Sequence, residues 1–193
     1  MPEGGLHVLD ISKMSDAEVS LELALYLIKS NKVKSDVKVA IDGAQIKTGT
    51  SIHFAIDKFL LNNKCVLVKK GNEWRGTYKV DKYDYHLVIH SNPGQGDVVA
   101  KLGNGKILKV ESKKGPLISK AGSPEYPLLR EAIGQLMTIE DYNGDDILAV
   151  AVPYSKKFSE LSGRWANAPL IKKLGIRFIL VARDGAIKGL EDL

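Results

Sequence analysis

The sequence predicts an α/β protein in which a central mixed β-sheet is flanked by helices. Apolar residues recur at helical spacing in several separate segments, and the segments between them change to a period of about two. Two late segments, residues 147–152 and 177–182, are almost continuously apolar, which suits strands buried on both faces. Helices, alternating strands and buried strands in one chain indicate a mixed sheet covered by helices.

Caps and apolar stripes predict the helices. The first is expected over residues 16–30, because Ser15 opens a capping box ahead of apolar positions. Pro124 is expected as the first residue of a later helix with Ser123 as its N-cap, and Pro169 interrupts the last helical segment. The remaining helical segments are residues 50–63, 124–142 and 156–173.

A short strand is expected at residues 36–41, followed by a turn at Asp42-Gly43. Glycine-containing turns then suggest that five further strands form an antiparallel meander. These five strands are expected at residues 65–69, 77–80, 85–90, 97–102 and 106–111.

The chain has 193 residues, which suits one sizeable domain with an addition. Residues 1–48 are predicted to be an N-terminal extension with one helix, and residues 49–193 to be the core. No apolar run approaches the roughly 18 residues that span a bilayer, so a cytoplasmic protein without membrane contact is expected.

Charge and cysteine content narrow the classes of function. The net charge of +5 favours a polyanionic partner such as nucleic acid, although many basic proteins bind none. Cys65 is the only cysteine, which excludes an internal disulfide and a cysteine-based zinc site. Any metal must therefore be held mainly by oxygen ligands, with histidine as a possible addition.

The most informative stretch runs from Gly94-Gln-Gly-Asp97 through a glycine turn to Glu111-Ser-Lys113. Residues two apart in a strand share a face, so Glu111 and Lys113 project together. A three-residue turn would place Asp97 opposite Glu111, whereas a two-residue turn would send Asp97 to the far face unless a bulge restored it.

Two carboxylates directly opposite each other repel unless a cation lies between them. Mg²⁺ prefers one or two carboxylates together with further oxygen ligands, and the main-chain carbonyl of Ser112 is a candidate for one of these. Mn²⁺ is expected to substitute. A lysine beside such a site can assist an attacking water and offset charge on a phosphate.

This arrangement resembles the PD-(D/E)XK nuclease superfamily, which includes restriction enzymes and junction resolvases. The resemblance assigns metal binding to Asp97 and Glu111, catalysis to Lys113, and a polar residue aimed at the site to Gln135. It implies a restriction endonuclease-like core in which a helix, three strands, a helix and a strand follow in order, and residues 49–152 fit that order. It also implies a Mg²⁺-dependent endonuclease that acts on DNA, with a homodimer suggested by the family's habits.

The sequence departs from the family pattern in two places. Pro93 stands four residues before Asp97 instead of beside it. The family's first core helix usually supplies a further acid, and the sequence leaves His53 and Asp57 as alternatives for that role. A non-catalytic nucleic-acid-binding module, or a basic interaction domain in which Glu-x-Lys is incidental, is the competing interpretation.

Overall fold

The computed structural model describes residues 12–118 and 122–193. The helices in these ranges are α1 Asp16–Lys29, α2 Gly43–Ile46, α3 Ile56–Asn62, α4 Glu125–Leu136, α5 Lys156–Trp165 and α6 Pro169–Leu174. The first strands are β1 Lys13–Met14, β2 Val37–Ala40, β3 Lys47–Thr48, β4 Ser51–Ile52, β5 Cys65–Lys70, β6 Gly76–Val80 and β7 His86–His90. The later strands are β8 Val98–Lys101, β9 Ile107–Ser112, β10 Gly115–Pro116, β11 Ile147–Pro153, β12 Arg177–Val181 and β13 Ile187–Lys188.

The main sheet of the described ranges has nine strands in the order β13-β12-β11-β9-β8-β2-β7-β6-β5. Strands β9, β11 and β12 are mutually parallel, as are β2 and β7, whereas β8 runs antiparallel to both of its neighbours. The prediction of an α/β fold with a mixed sheet and flanking helices is therefore confirmed. None of the helices in the described ranges has the length and apolarity that a membrane span requires.

The predicted five-stranded meander is wrong at one position. Strands β5, β6 and β7 do form an antiparallel series and β8 pairs with β9, but β2 lies between β7 and β8. Val37 and Val39 of β2 are fully buried while Lys38 is exposed, so this strand gains core contacts in the middle of the sheet. Glycine turns specify hairpins between chain neighbours, and they carry no information about a strand that enters from a distance.

The division into an extension and a core also needs correction. Helix α1 packs on the sheet, where Leu21, Leu25 and Leu27 are almost completely buried in the same apolar cluster as β2 and β9. The apolar stripe that predicts α1 is the face that packs on the sheet. If α1 were an exposed extension, this apolar face would lie in water. The described part of residues 1–48 thus belongs to the core of the protein.

Three predicted element boundaries shift. Asp42 is not in a free turn but caps α2, because its Oδ1 accepts the Ala44 N–H over 3.1 Å. Helix α3 begins later than expected, because residues 51 and 52 pair with β3 instead. Pro124 is itself the N-cap of α4, since Ser123 has a positive φ of 43°, and the helix ends at Leu136 before a polar turn.

The two faces of the sheet are covered differently. Helices α1 and α3 cover one face, over a core that includes Val39, Leu87, Val98 and Val110. On the other face, α4 and α5 pack on β9, β11 and β12. In the part of the chain that the structure describes, no helix covers that second face over β8, β2, β7, β6 and β5.

Strand β10 fixes the chain immediately after Lys113. A Cβ at Gly115 would come within 2.4 Å of the Phe158 ring, which is fully buried on α5. We therefore expect Gly115→Ala to lower the free energy of unfolding by about 1 to 3 kcal/mol, because the ring has no space to move. Urea titration followed by circular dichroism measures the change.

Gly163, in the same helix as Phe158, supplies the matched control. A Cβ there meets nothing within 4 Å, so Gly163→Ala is expected to stabilise the protein by up to about 1 kcal/mol through helix propensity. A Gly115→Ala variant as stable as the wild type would contradict the close packing described here.

Candidate functional site

The turn between β8 and β9 sets the register of the candidate site. The Leu102 N–H donates to the Lys106 carbonyl over 2.8 Å, so the loop consists of the three residues Gly103, Asn104 and Gly105. Val98 consequently pairs with Val110. The next position along each strand brings Asp97 opposite Glu111, which is the first of the two alternatives that the sequence leaves open.

Gly96 allows the chain to enter β8 close against β9. Its φ is +96°, and a Cβ there would stand 3.0 Å from the Val110 carbonyl oxygen. The Asp97 N–H donates to that same carbonyl over 2.7 Å, and the Ser112 N–H donates to Asp97 Oδ2 over 2.8 Å. These two bonds hold the Asp97 side chain over the end of β9.

Asp97 and Glu111 line a cavity of about 220 Å³ at the end of these strands. Gln135 of α4 lines the same cavity, so the structure brings three of the four predicted catalytic residues together. The remaining lining residues are Ala40, Pro93, Gly94, Gly96, Thr138 and Ile139.

Lys113 lies next to the cavity and is held by α4. Its side chain is almost completely buried, and its Nζ donates to Glu131 Oε1 over 2.9 Å. Its main-chain N–H donates to the Ala151 carbonyl over 2.9 Å, which continues the pairing of β9 with β11. Glu131 and Gln135 are one helical turn apart, so one face of α4 holds the lysine and also reaches the cavity.

The two carboxyl groups strongly perturb each other. Burial raises the pKa of Asp97 to about 6, although the Ser112 N–H and the positive charge of Lys113 both act to lower it. Burial and then the negative charge of Asp97 raise the pKa of Glu111 to about 8, and the two side chains share a hydrogen bond. Without a cation the pair therefore retains a proton near neutral pH, with Glu111 as the donor.

A further acid, Asp16, lies near the pair. Its negative charge contributes to the raised pKa of Asp97, and its Oδ1 accepts the Lys114 N–H over 2.8 Å. The sequence pattern had identified Asp16 only as a first-turn residue of α1. No local sequence signal identifies it, because its position depends on the packing of α1 against β2 and β9.

The structure does not bring His53 or Asp57 to this cavity. His53 Nε2 lies 3.0 Å from Thr48 Oγ1, in the loop that carries β3 and β4. Asp57 lines a different, larger cavity of about 570 Å³ beside Trp74. Both candidates came from treating α3 as the first core helix, and α3 packs instead on β5 near the edge of the sheet.

The Ser112 N–H contributes to the site by donating to Asp97 Oδ2. The role of the Ser112 carbonyl as a metal ligand stays a prediction. Within the described residues no group of three or more histidine, cysteine, aspartate or glutamate side chains is arranged to hold a metal ion. A cation in this cavity would therefore be held by two carboxylates and by oxygens from elsewhere, which is the pattern that Mg²⁺ tolerates.

Comparison of the chain with protein-family models, with curated proteins and with solved structures finds no match.

The raised pKa of Glu111 predicts how stability depends on pH. A carboxyl group whose pKa is about 8 in the folded state and about 4.5 in the unfolded state binds its proton more tightly when folded. Its contribution to stability is complete below about pH 4.5 and is lost as the pH rises to about 8. We expect the unfolding free energy of the metal-free wild type to fall across this range.

Glu111→Gln is expected to flatten that part of the profile. Glu22, whose pKa burial raises to about 7, titrates in the same range in both proteins, so the difference between the two profiles reports Glu111 together with its coupled partner Asp97. Chemical denaturation at a series of pH values measures it. Parallel profiles for the two proteins would show that Glu111 is not the perturbed group.

Proposed function

We propose that this chain is a Mg²⁺-dependent nuclease with a restriction endonuclease-like core, and that it hydrolyses phosphodiester bonds in DNA. The observation that carries the proposal is the register of β8 and β9, which brings Asp97 and Glu111 together at one cavity. Lys113 lies two residues after Glu111, and its Nζ binds Glu131 on α4, the helix that also supplies Gln135.

The order of the elements supports the same proposal. The superfamily core is a helix, three strands, a helix and a strand, and α1, β2, β8, β9, α4 and β11 follow that order. These strands are also direct neighbours, in the order β2-β8-β9-β11. Residues 41–96 then form an insertion between the first and second core strands, and this replaces the earlier match to residues 49–152.

The donor set fits a hard divalent cation. Asp97 and Glu111 are buried carboxyl groups that share a hydrogen bond, so an ion between them would take the place of the proton and relieve their repulsion. Mg²⁺ held there would supply positive charge to a phosphoryl oxygen of the substrate.

The other side chains act on the substrate and the water. Lys113 places its ammonium beside the carboxylates, where it offsets charge on the scissile phosphate and helps to orient the attacking water. Glu131 is a positioning residue, because its Oε1 holds the Lys113 Nζ at 2.9 Å. Gln135 projects into the cavity from α4, where its amide can accept from or donate to the water.

A non-catalytic nucleic-acid-binding module is the second candidate. The observation that favours it is the ion pair between Lys113 and Glu131, which gives the lysine a structural role without catalysis. A module of this kind would bind DNA equally well with or without Mg²⁺ and would leave it intact.

Cleavage assays separate the two functions. We expect the wild type to cut duplex, single-stranded or branched DNA in Mg²⁺ and to be inactive in EDTA. Asp97→Asn and Lys113→Ala are each expected to lower the cleavage rate by about 10²- to 10³-fold, because each removes a group that stabilises charge at the reacting phosphate. Gel electrophoresis of labelled substrates measures the rate.

Asp57→Asn is the matched control, since it removes one carboxylate from an exposed position at a different cavity. Its cleavage rate should equal that of the wild type. Binding without cleavage of all three substrates in Mg²⁺ would exclude the nuclease and leave the binding module.

A further inference from the structure

The uncovered face of the main sheet lies directly beside the candidate site. Strand pairing places Lys38 next to Val99, and Val99 next to Lys109, so these side chains share the face on which α4 packs farther along. Asp97 and Glu111 are two residues beyond Val99 and Lys109 on the same face. The candidate site therefore opens at the border between the part of this face under α4 and the uncovered part.

Exposed lysines are distributed across the uncovered part. Lys79 pairs with His86, and Lys69 pairs with Thr77. The same face therefore continues outward to the edge strand β5. The lysines of this face, which we call the lysine face, are Lys38, Lys69, Lys79 and Lys101, one each on β2, β5, β6 and β8, and all are exposed. None of the four has an ion-pair partner among the described residues.

Acidic groups are scarce on this surface. The strand residues that share the lysine face on β8, β2, β7, β6 and β5 include no aspartate or glutamate. Asp36 lies just before β2, where its Oδ1 accepts the His86 N–H over 2.8 Å. Asp36 is two residues before Lys38 and so lies on the same face between Lys79 and Lys101, and near the candidate site Asp141 and Asp146 pair with Lys109. Among the described residues, the exposed lysines still outnumber the acids on the uncovered part, which gives that part a net positive charge.

The residue types favour a duplex over a single strand. Single-strand surfaces combine basic residues with aromatic platforms on which bases stack. The strand residues of the lysine face include no phenylalanine, tyrosine or tryptophan, and their aromatic rings are the half-buried imidazoles of His86 and His90, while Tyr78 points to the opposite, buried side. Charge with few stacking platforms suits a duplex, because its bases already stack on each other and its phosphates lie outside.

The dimensions are also suitable. From β8 to β5 there are four strand spacings, which correspond to about 19 Å across the sheet. The backbone of a duplex presents one negative charge for each 1.7 Å or so of its axis, so several phosphates fall within that width.

We propose that the lysine face is the surface that holds the duplex backbone beside the cleavage site, and that Lys69 and Lys79 of the 41–96 insertion extend it beyond the core strands β2 and β8. This inference rests on the proposed nuclease function for its choice of partner. Lys38, whose partner Val99 is two residues from Asp97, contacts the phosphates closest to the bond that is cut, and Lys101 contacts phosphates farther along β8. Lys79 and Lys69, on the outer strands β6 and β5, contact phosphates of the duplex farther from the cleavage site.

Binding in EDTA tests the surface without any cleavage. A fluorescein-labelled duplex is titrated with protein at several salt concentrations, and fluorescence anisotropy gives the affinity. The triple variant Lys38→Gln/Lys79→Gln/Lys101→Gln should bind more weakly and should reduce the slope of log K against log salt by about 2 to 3, since each lost phosphate contact removes about one unit.

The control variant is Arg164→Gln/Lys172→Gln/Lys173→Gln, which removes the same charge from exposed positions on α5 and α6. It should keep the wild-type slope. Thermal unfolding of both triple variants verifies that they are folded. A lysine-face variant that binds like the wild type, or a control that loses as much, would overturn the assignment of this surface.

The two proposals can fail separately. A wild type that binds through the lysine face but never cuts in Mg²⁺ would remove the nuclease and keep the surface. Cleavage by a lysine-face variant that binds normally would keep the nuclease and remove the surface. Tighter binding of the labelled single strand, lost in the same variant, would overturn the choice of duplex.

Discussion

The pairing of β8 with β9 is the constraint on which the candidate site depends. Side chains alternate between the faces of a strand, so a shift of one residue in this hairpin would move Asp97 to the face under α1. The three-residue turn from Gly103 to Gly105 prevents that shift, and the close approach at Gly96 then fixes how β8 begins. Backbone geometry in a turn thus decides whether two carboxyl groups meet.

Once they meet, burial gives the pair its chemistry. Carboxylates in water would titrate near their ordinary pKa values, whereas here burial raises the pKa of both groups and the negative charge of Asp97 raises that of Glu111 further. A proton or a metal ion must therefore accompany the pair. The nearby ammonium of Lys113 compensates only in part, since it is also bound to Glu131. Under the proposed function, a divalent cation takes the place of the proton that the pair otherwise keeps.

How far the sequence predicts this structure depends on the distance over which each signal acts. The Ser15 cap, the strand period of two and the glycine turn are local, and they placed α1, β8 and β9 correctly. The position of β2 is not local, because its partners β7 and β8 lie about 50 residues or more along the chain, and no residue in β2 encodes which strands will flank it.

That one omission accounts for the errors at the site. With β2 assigned to an extension, α3 is expected beside the site, and His53 and Asp57 are then the acidic and histidine candidates, whereas the structure brings Asp16 of α1 near Asp97. The residues predicted from the hairpin and from α4 did not depend on β2, so Asp97, Glu111 and Gln135 still fall around one cavity. Lys113 is adjacent to it for the same reason.

The position of β2 also explains why one face of the sheet is open. Helix α4 follows β9 directly and returns to β11, so it can cover only the strands on that side. Strands β7, β6 and β5 are added beyond β2, no helix of residues 12–118 and 122–193 crosses them on that face, and α3 packs on the opposite face. A strand with one solvent-exposed face needs polar residues there, and the described strands place four lysines on that face with one nearby acid, Asp36. Solubility alone would be served equally well by mixed charges. On the described strands the exposed lysines outnumber the acids, at the border of a cavity lined by two carboxyl groups, and this excess suits the polyanionic partner proposed above.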